Sequence, residues 1–551
     1  MVQSTMQTYP LTVNQLLEHG HKVNPHREVV TWQGDTARKV SFADTYDRTR
    51  RLAAGLRSLG IAEGDVVGTF CWNHQEHVEA YFAVPCMGAV LHQLNIRLFP
   101  DQLTFVVNDL GDRVIIVDDS LIPLLARVLD DIGDVEVFVV VGDGDASALD
   151  AHPGRVVRYD DLLADNEPLE AWPEIDENQA AASCYTSGTT GNPKGVVYSH
   201  RSIWTHTLGA AAGGVKLVDG DRVLVVVPQF HANAWGLVHI AWVYGADLLM
   251  PAEHLQPEPL TAFIETEKPT CSAAVPTVWN GVLAHGGGTD IDLSSLSWVI
   301  VGGAAVPRSM VDQFEDTYGI EIIQGWGMTE MSPLGTVAVP PAGTTGEESR
   351  AYRAKTGRVV AGVDMRIVAD DGTVQPWDGQ GMGEIQVRGP WITAGYHGVD
   401  AADKFDPGTG GPGGSVPWLR TGDVGVIEPG GYLQLVDRTK DVIKSGGEWI
   451  SSVDLENALM GHPDVLECAV IGVADERWDE RPLACVVVRD GSRLTPQDLH
   501  AHLAGEVASW WRPERYAFVD EIPKTSVGKF DKKVLRIDHE GGDLEIVRLD
   551  G

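Results

Sequence analysis

Residues Tyr185-Thr186-Ser187-Gly188-Thr189-Thr190-Gly191-Asn192-Pro193-Lys194-Gly195 decide how the rest of the chain is read. Gly188, Gly191 and Gly195 allow positive φ angles and a close approach of backbone to a bound group. The hydroxyls of Thr186, Ser187, Thr189 and Thr190, with the loop's N–H groups, can donate to phosphate oxygens, and Lys194 adds a mobile positive charge. The stretch is not a Walker A loop. That motif needs Gly-Lys-Ser/Thr, whereas Pro193 precedes Lys194 here and Gly195 follows it. A surface loop of small residues is the plain alternative, but eleven residues patterned this way point to anion binding.

Outward from this loop the chain alternates strands and helices. Leu52, Leu56 and Leu59 predict a helix over Tyr46–Leu59, closed by Gly60. A strand is expected at Asp65–Trp72, a helix at His77–Met87, and strands at Asp112–Asp118 and Asp134–Val141. The same rhythm returns at Asp221–Pro228, Ser297–Val301 and Ile320–Gln324, which predicts parallel sheets covered by helices. Ala234–Met250, the most apolar long stretch, contains His239 and Asp247 and is too short to span a bilayer, so it reads as a buried helix. Pro340–Arg350 and Asp406–Pro417 read as loops. Beyond Val363 the pattern is β-rich, at Asp364–Ala369, Gly383–Arg388 and Gly431–Val436. From Asp441 it becomes α+β: a helix near Val453–Met460, strands at Glu467–Val473 and Leu483–Val488, and a helix at Pro496–Ala508. A boundary falls near Asp437–Asp441. Gly142-Asp143-Gly144 imitates the start of a dinucleotide fingerprint, but Ser147 replaces the third glycine and Asp143 and Asp145 repel phosphate, so it reads as an acidic turn.

The chain has 551 residues, a length that implies roughly three to five structural units. Charged residues are 22% and hydrophobic ones 43%, proportions of a globular chain rather than a disordered one. The net charge of -36 argues against nucleic-acid partners and against attraction to anionic membranes. It does not exclude an anionic small substrate. Cys71, Cys86, Cys184, Cys271, Cys468 and Cys485 form no C-x-x-C pair, so reduced thiols are expected rather than zinc or disulfides. No secretory segment is recognised in MVQSTMQTYPLTVNQ, and a cytoplasmic location is expected.

The Tyr185–Gly195 segment resembles the phosphate-binding signature of the adenylate-forming superfamily: acyl-CoA synthetases, peptide-synthetase adenylation domains and firefly-type luciferases. Four further segments resemble that family in order. Gln324-Gly325-Trp326-Gly327-Met328-Thr329-Glu330 resembles the adenine and magnesium segment, with Trp326 where many members carry Tyr. Leu419-Arg420-Thr421-Gly422-Asp423 resembles the ribose segment. Asp437-Arg438-Thr439-Lys440-Asp441, continuing to Ser445-Gly446-Gly447-Glu448, resembles the hinge and its following loop. Pro523-Lys524-Thr525-Ser526-Val527-Gly528-Lys529 resembles the C-terminal lysine motif. Val275–Trp279 and Ser445–Ser452 bring it nearest to fatty-acyl and 3-methylmercaptopropionyl-CoA ligases.

The resemblance implies an α/β fold. A large body of mixed and parallel sheets, with a small β-barrel-like part, would cover residues 1–438. A small mobile α+β domain would cover 439–551, hinged at Lys440. It also implies roles for particular residues. Thr186, Ser187, Gly188, Thr189, Thr190, Gly191 and Lys194 would hold the phosphates of ATP or AMP. Gly302, Gly303 and Ala304 would wall the adenine, with Gly325, Trp326, Gly327, Met328 and Thr329 beside it. Asp423 would accept from the ribose hydroxyls, and Arg438 would reach the nucleotide from the junction. Glu330 would give Mg²⁺ a hard oxygen. Lys529 would bridge the substrate carboxylate and the α-phosphate. His231 would gate the carboxylate, and Trp235, Val301, Gly302, Gly327 and Met331 would line the acyl site. Ser445, Gly446, Gly447, Glu448 and Trp449 would meet CoA. Gln229 stands where close relatives tend to carry an apolar residue, so its placement bears on acid specificity.

The expected function is ATP-dependent conversion of a carboxylic acid to acyl-AMP, then to a CoA thioester. Catalytic duties would fall on Lys529, Lys194, Thr329, Glu330 and His231. The partners are small molecules (the acid, ATP and CoA), and a homodimer is compatible with them. Other readings remain: an enzyme of one half-reaction, a stand-alone adenylation enzyme loading a carrier protein, a luciferase-like oxygenase, or a non-catalytic nucleotide-binding regulator.

Overall fold

A computed structural model describes residues 2–186, 192–304, 306–408, 414–446, 448–489, 491–524 and 530–549. The first sheet has seven strands, ordered Arg155–Arg158, Val137–Val141, Asp112–Asp118, Val66–Phe70, Val90–Gln93, Ala180–Tyr185 and Gly195–Ser199. All neighbours are parallel except the last pair. The second sheet centres on parallel strands Glu321–Trp326, Trp298–Gly302, Cys271–Ala274, Arg222–Val225 and Asp247–Met250. Glu28–Trp32, from the start of the chain, pairs in parallel with Asp247–Met250. At the other end Gly357–Val359 joins the sheet antiparallel to Thr336–Val337 and Tyr432–Arg438, and this ladder carries the strands expected as a barrel-like part. A third sheet of six strands begins at Ile443 and belongs to the C-terminal α+β region.

The helix Gln75–Cys86 is buried at every position, which explains its unusual polar residues. Glu79 is held by Arg48 Nε at 2.6 Å, Tyr159 Oη at 2.6 Å and Gln75 Nε2 at 2.7 Å. Arg38 pairs with Glu76 at 2.7 Å, and His77 Nε2 lies 3.0 Å from Thr69 Oγ1. A buried charge is tolerated only with such partners. His74 caps this helix by accepting from the His77 N–H, so it starts before the expected residue. The six cysteines are buried free thiols.

Three expected elements need correction. Ala234–Met250 is not one helix: helix Leu237–Tyr244 stops at Gly245, in the left-handed region at φ 72°, and Asp247–Met250 is a strand. Pro340–Arg350 is not all loop, because helix Gly346–Arg353 begins inside it. Its Arg350 pairs with Asp316 at 2.6 Å and its Arg353 with Glu321 at 3.0 Å, tertiary contacts that local composition does not reveal. The helix from Pro496 ends at His502, and Gly505 follows at φ 94°. In the expected loop Asp406–Pro417, Phe405–Asp406 forms a short strand against Trp418–Leu419, and residues 409–413 lie outside the described residues. Gly142–Gly144 is a turn: Asp119 accepts from Gly144 N at 2.7 Å, and Arg158 donates to the Gly142 and Gly144 carbonyls.

Among the described residues no helix is long and apolar enough to cross a membrane.

Candidate active site

A cavity of about 410 Å³ lies against the C-terminal ends of the second sheet's parallel strands. The anion loop reaches it from the edge hairpin of the first sheet, where Tyr185 pairs with Gly195. Thr186 N donates to Lys194 O at 2.9 Å, and Lys194 N to Thr186 Oγ1 at 3.2 Å, which closes the loop's base. Thr186 and Lys194 line the cavity; Ser187, Gly188, Thr189, Thr190 and Gly191 lie outside the described residues.

Gly302 and Gly303 also line the cavity and leave that stretch of wall without side chains. A Cβ on Gly302 would lie 2.8 Å from the Gly325 carbonyl oxygen, and Gly303 has φ 82°. Ala304 is exposed and does not line the cavity. Gly325, Trp326, Gly327, Met328 and Thr329 do. Gly327 has no room for a side chain, since a Cβ would sit 1.4 Å from Pro333 O. Trp326 Nε1 donates to Asp423 Oδ2 at 2.9 Å, and Arg438 Nε lies 3.5 Å from Asp423 Oδ1. The buried carboxylate is therefore oriented from two sides, with Gly422 and Arg438 on the cavity wall beside it.

Glu330 is buried in the short 3₁₀ turn Thr329–Met331. Tyr198 Oη donates to Thr329 O at 2.7 Å, and Thr393 N donates to Glu330 O at 2.8 Å, which fixes the turn. Tyr396 Oη donates to Glu330 Oε1 at 2.7 Å, and the Lys194 ammonium lies 5.0 Å from the centre of the Tyr396 ring. Burial pushes the Glu330 carboxyl above the usual carboxylate range, with the Tyr396 hydrogen bond and Arg438 opposing that rise. A cation beside it would favour the ionised form, so this carboxylate and the Thr329 hydroxyl fit Mg²⁺, which takes few protein oxygens plus phosphates and water. Sequence reasoning missed Tyr396; an isolated Tyr-His pair after a loop carries no local signal.

The acyl end is built around Ala232–Trp235. These four residues all have φ between 45° and 56°, a left-handed turn of L-residues that costs roughly 1–2 kcal/mol per residue. Tyr81 Oη holds it by donating to Asn233 O at 2.6 Å, and Cys184 Sγ by donating to Asn233 Oδ1 at 2.9 Å. The turn presents His231 and Trp235 to the cavity, with Trp235 packed across the Gly302–Gly303 wall.

Several expected acyl residues are placed elsewhere. Val301 faces the opposite core; Ile300 and Gly302, one residue either side, face the cavity, because successive strand residues alternate faces. Met331 is fully buried and packs against Gly335 rather than lining the cavity. Gln229 is also fully buried away from it, its backbone N–H bonded to Asn73 Oδ1 at 2.9 Å. His206, Ala210, Leu237, Ile240 and Leu334 line the acyl end and were not anticipated.

The C-terminal motifs are separate in this conformation. Lys440 lines the cavity and burial lowers its pKa, whereas Ser445, Gly446 and Trp449 do not line it. Ser445 Oγ accepts from Arg481 at 3.3 Å, Gly446 N donates to Trp478 O, and the Lys444 ammonium lies 5.7 Å from the Trp449 ring centre. Gly447 and Lys529 lie outside the described residues, as does the Glu448 side chain.

Glycine-walled, lysine-bearing and backed by an oriented buried carboxylate, the cavity defines a nucleotide-binding α/β protein with an apolar annex. The chain belongs to the AMP-binding enzyme family, which it matches over residues 17–397, and it matches that family's C-terminal domain over 454–529. It is 39% identical over 536 residues to a 3-methylmercaptopropionyl-CoA ligase of Ruegeria lacuscaerulensis, covering 96% of this chain and 98% of that protein. It is 42% identical over 541 residues to a long-chain-fatty-acid–CoA ligase of Thermus thermophilus, covering 97% and 96%. Among solved structures it resembles an anthranilate CoA ligase in complex with anthranoyl-AMP, with a TM-score of 0.85, 25% identity and 98% and 100% coverage.

Proposed function

We propose that this chain is an AMP-forming acid–thiol ligase that converts a carboxylic acid to its CoA thioester through acyl-AMP. One observation carries the reading: Lys194, Gly327, Thr329 and Glu330 of the nucleotide motifs line the same cavity as the apolar Ala210, Leu237 and Ile240. An acid seated in the annex thereby points its carboxylate at the α-phosphate. Relatives named as CoA ligases along nearly their whole length support the same activity.

In the first step a carboxylate oxygen attacks the α-phosphorus of ATP, and the bond to pyrophosphate breaks. The thiol of CoA then attacks the acyl carbon, loses its proton, and AMP departs. Lys194 and the loop hold phosphates, Asp423 accepts from the ribose, and Thr329 and Glu330 would hold Mg²⁺. When bound, Mg²⁺ supplies positive charge to the phosphate oxygens. Lys529 neutralises the repulsion between the two reacting anions, and His231 positions the carboxylate. Residues 439–551 form the mobile domain, turning about Lys440 so that Ser445–Trp449 replace Lys529 at the cavity for the second step. The cytoplasm, where ATP and CoA are both supplied, is the proposed location.

The test separates the half-reactions. Lys529→Ala is expected to slow pyrophosphate release on the order of 10²–10³-fold, while conversion of supplied acyl-AMP by CoA stays near the wild-type rate. Wild-type protein that consumes acyl-AMP yet releases no pyrophosphate with any acid would assign the chain to the second half-reaction alone.

A further inference from the structure

Apolar side chains make up much of the acyl end, and among the described residues two imidazoles, His206 and His231, line the cavity. His206 lies on helix His200–Gly213, one turn before Ala210, and both line the cavity with Leu237 and Ile240 of the next helix. His206 is 3% exposed and lines the cavity, and burial alone accounts for its lowered basicity. The ring lies over Gly236, where a Cβ would be 2.5 Å from Cε1, and meets Trp391 edge-on at 6.2 Å between ring centres. Behind it His239 has Nε2 buried without a partner. A polar group desolvated without a partner is costly, so the His206 imidazole on this wall favours an occupant that can bond it.

We propose that His206 is a specificity-determining residue that receives a neutral hydrogen-bonding group, a hydroxyl above all, carried by the acid away from its carboxylate. This rests on the ligase reading and names the substrate class: hydroxylated carboxylic acids rather than plain aliphatic ones. A neutral imidazole offers one donor and one acceptor, the pair a hydroxyl complements. Burial pushes His206 down to about 4 and His239 to about 3, so neither ring is charged at neutral pH. A second carboxylate on the acid would find no countercharge there. Of the cations lining the cavity among the described residues, Lys194 lies over Tyr396, Arg438 beside Asp423 and Arg420 beside Glu384, with Lys404 and Lys440 on the same wall.

The experiment uses straight-chain acids with a terminal hydroxyl, over a range of lengths, each paired with the acid carrying a methyl group in its place. Two readouts are taken on the full chain: kcat/KM for pyrophosphate release, and affinity for the matching acyl sulfamoyl adenosines, which bind without turnover. At the best length the wild type is expected to favour the hydroxyl member at least about tenfold in both. His206→Leu abolishes that ratio and His206→Gln, which keeps a donor and an acceptor, retains it. Equal use of the paired acids by the wild type, or a ratio unchanged in His206→Leu, overturns the proposal. Should His206→Leu not fold, the wild-type ratio together with that of His206→Gln decides. Analogues that bind with no preference sink only the His206 assignment, whereas failure of every analogue to bind sinks the ligase reading with it.

Discussion

Trp326→Phe removes one N–H from the nucleotide wall and leaves an aromatic ring in place. In the wild type that N–H donates at 2.9 Å to Asp423, whose carboxylate is 7% exposed. A hydrogen bond to a charged group contributes about 1.5–3 kcal/mol, or about 10- to 150-fold in a binding constant. The Arg438 guanidinium, 3.5 Å from the other carboxylate oxygen, takes up part of the loss, so the lower end of that range is expected. Calorimetric titration with AMP and with 2′,3′-dideoxy-AMP separates the causes. AMP affinity falls about tenfold in Trp326→Phe, while affinity for the dideoxy nucleotide, which has no hydroxyls for Asp423, changes less than about threefold. Asp423→Asn combined with Trp326→Phe costs less than the sum of the two single changes. An equal loss for both nucleotides would refute the reasoning and make Trp326 a stacking surface only.

Tyr396→Phe removes the hydrogen bond that opposes the rise in the Glu330 pKa, so that carboxyl moves further upward. If Glu330 is the Mg²⁺ ligand proposed above, only its ionised form serves, so the acid limb of the kcat/KM profile moves to higher pH and activity recovers on the alkaline side; an unmoved limb rules Glu330 out as the titrating group. Gly327→Ala places a methyl 1.4 Å from Pro333 O, a backbone atom that cannot swing aside. Thermal unfolding should show a loss of about 3 kcal/mol or more, and an unchanged midpoint would contradict this packing.

The family's ordered motifs and the alternation of strands and helices were legible because each is written in consecutive residues. What failed was whatever depends on face or on distant partners. Val301 is expected at the acyl site from the resemblance, but its neighbour Ile300 lines the cavity instead, since a strand reverses its face with every residue. Ala234–Met250 has the hydropathy of a buried helix throughout, and only Gly245 marks where helix becomes strand; short apolar runs do not distinguish the two. Tyr396 reaches Glu330 from 66 residues away in sequence. His206 is hidden for the opposite reason: nothing in the sequence around it sets it apart until the cavity shows what it lines.

The parallel pairing of Glu28–Trp32 with Asp247–Met250 has a consequence for how the protein is made. Synthesis proceeds from the N-terminus at about 5–20 residues per second, so the first strand emerges on the order of tens of seconds before its neighbour. Its antiparallel partner Ala37–Ser41 is available at once, but an isolated two-stranded hairpin is marginally stable in water. The seven-stranded sheet, complete by Ser199, can assemble while this ribbon is still waiting. During that interval Val29, Val30 and Trp32, all buried in the finished molecule, have no cover from the second sheet. Until Asp247–Met250 emerges, that ribbon is exposed apolar surface on the growing chain.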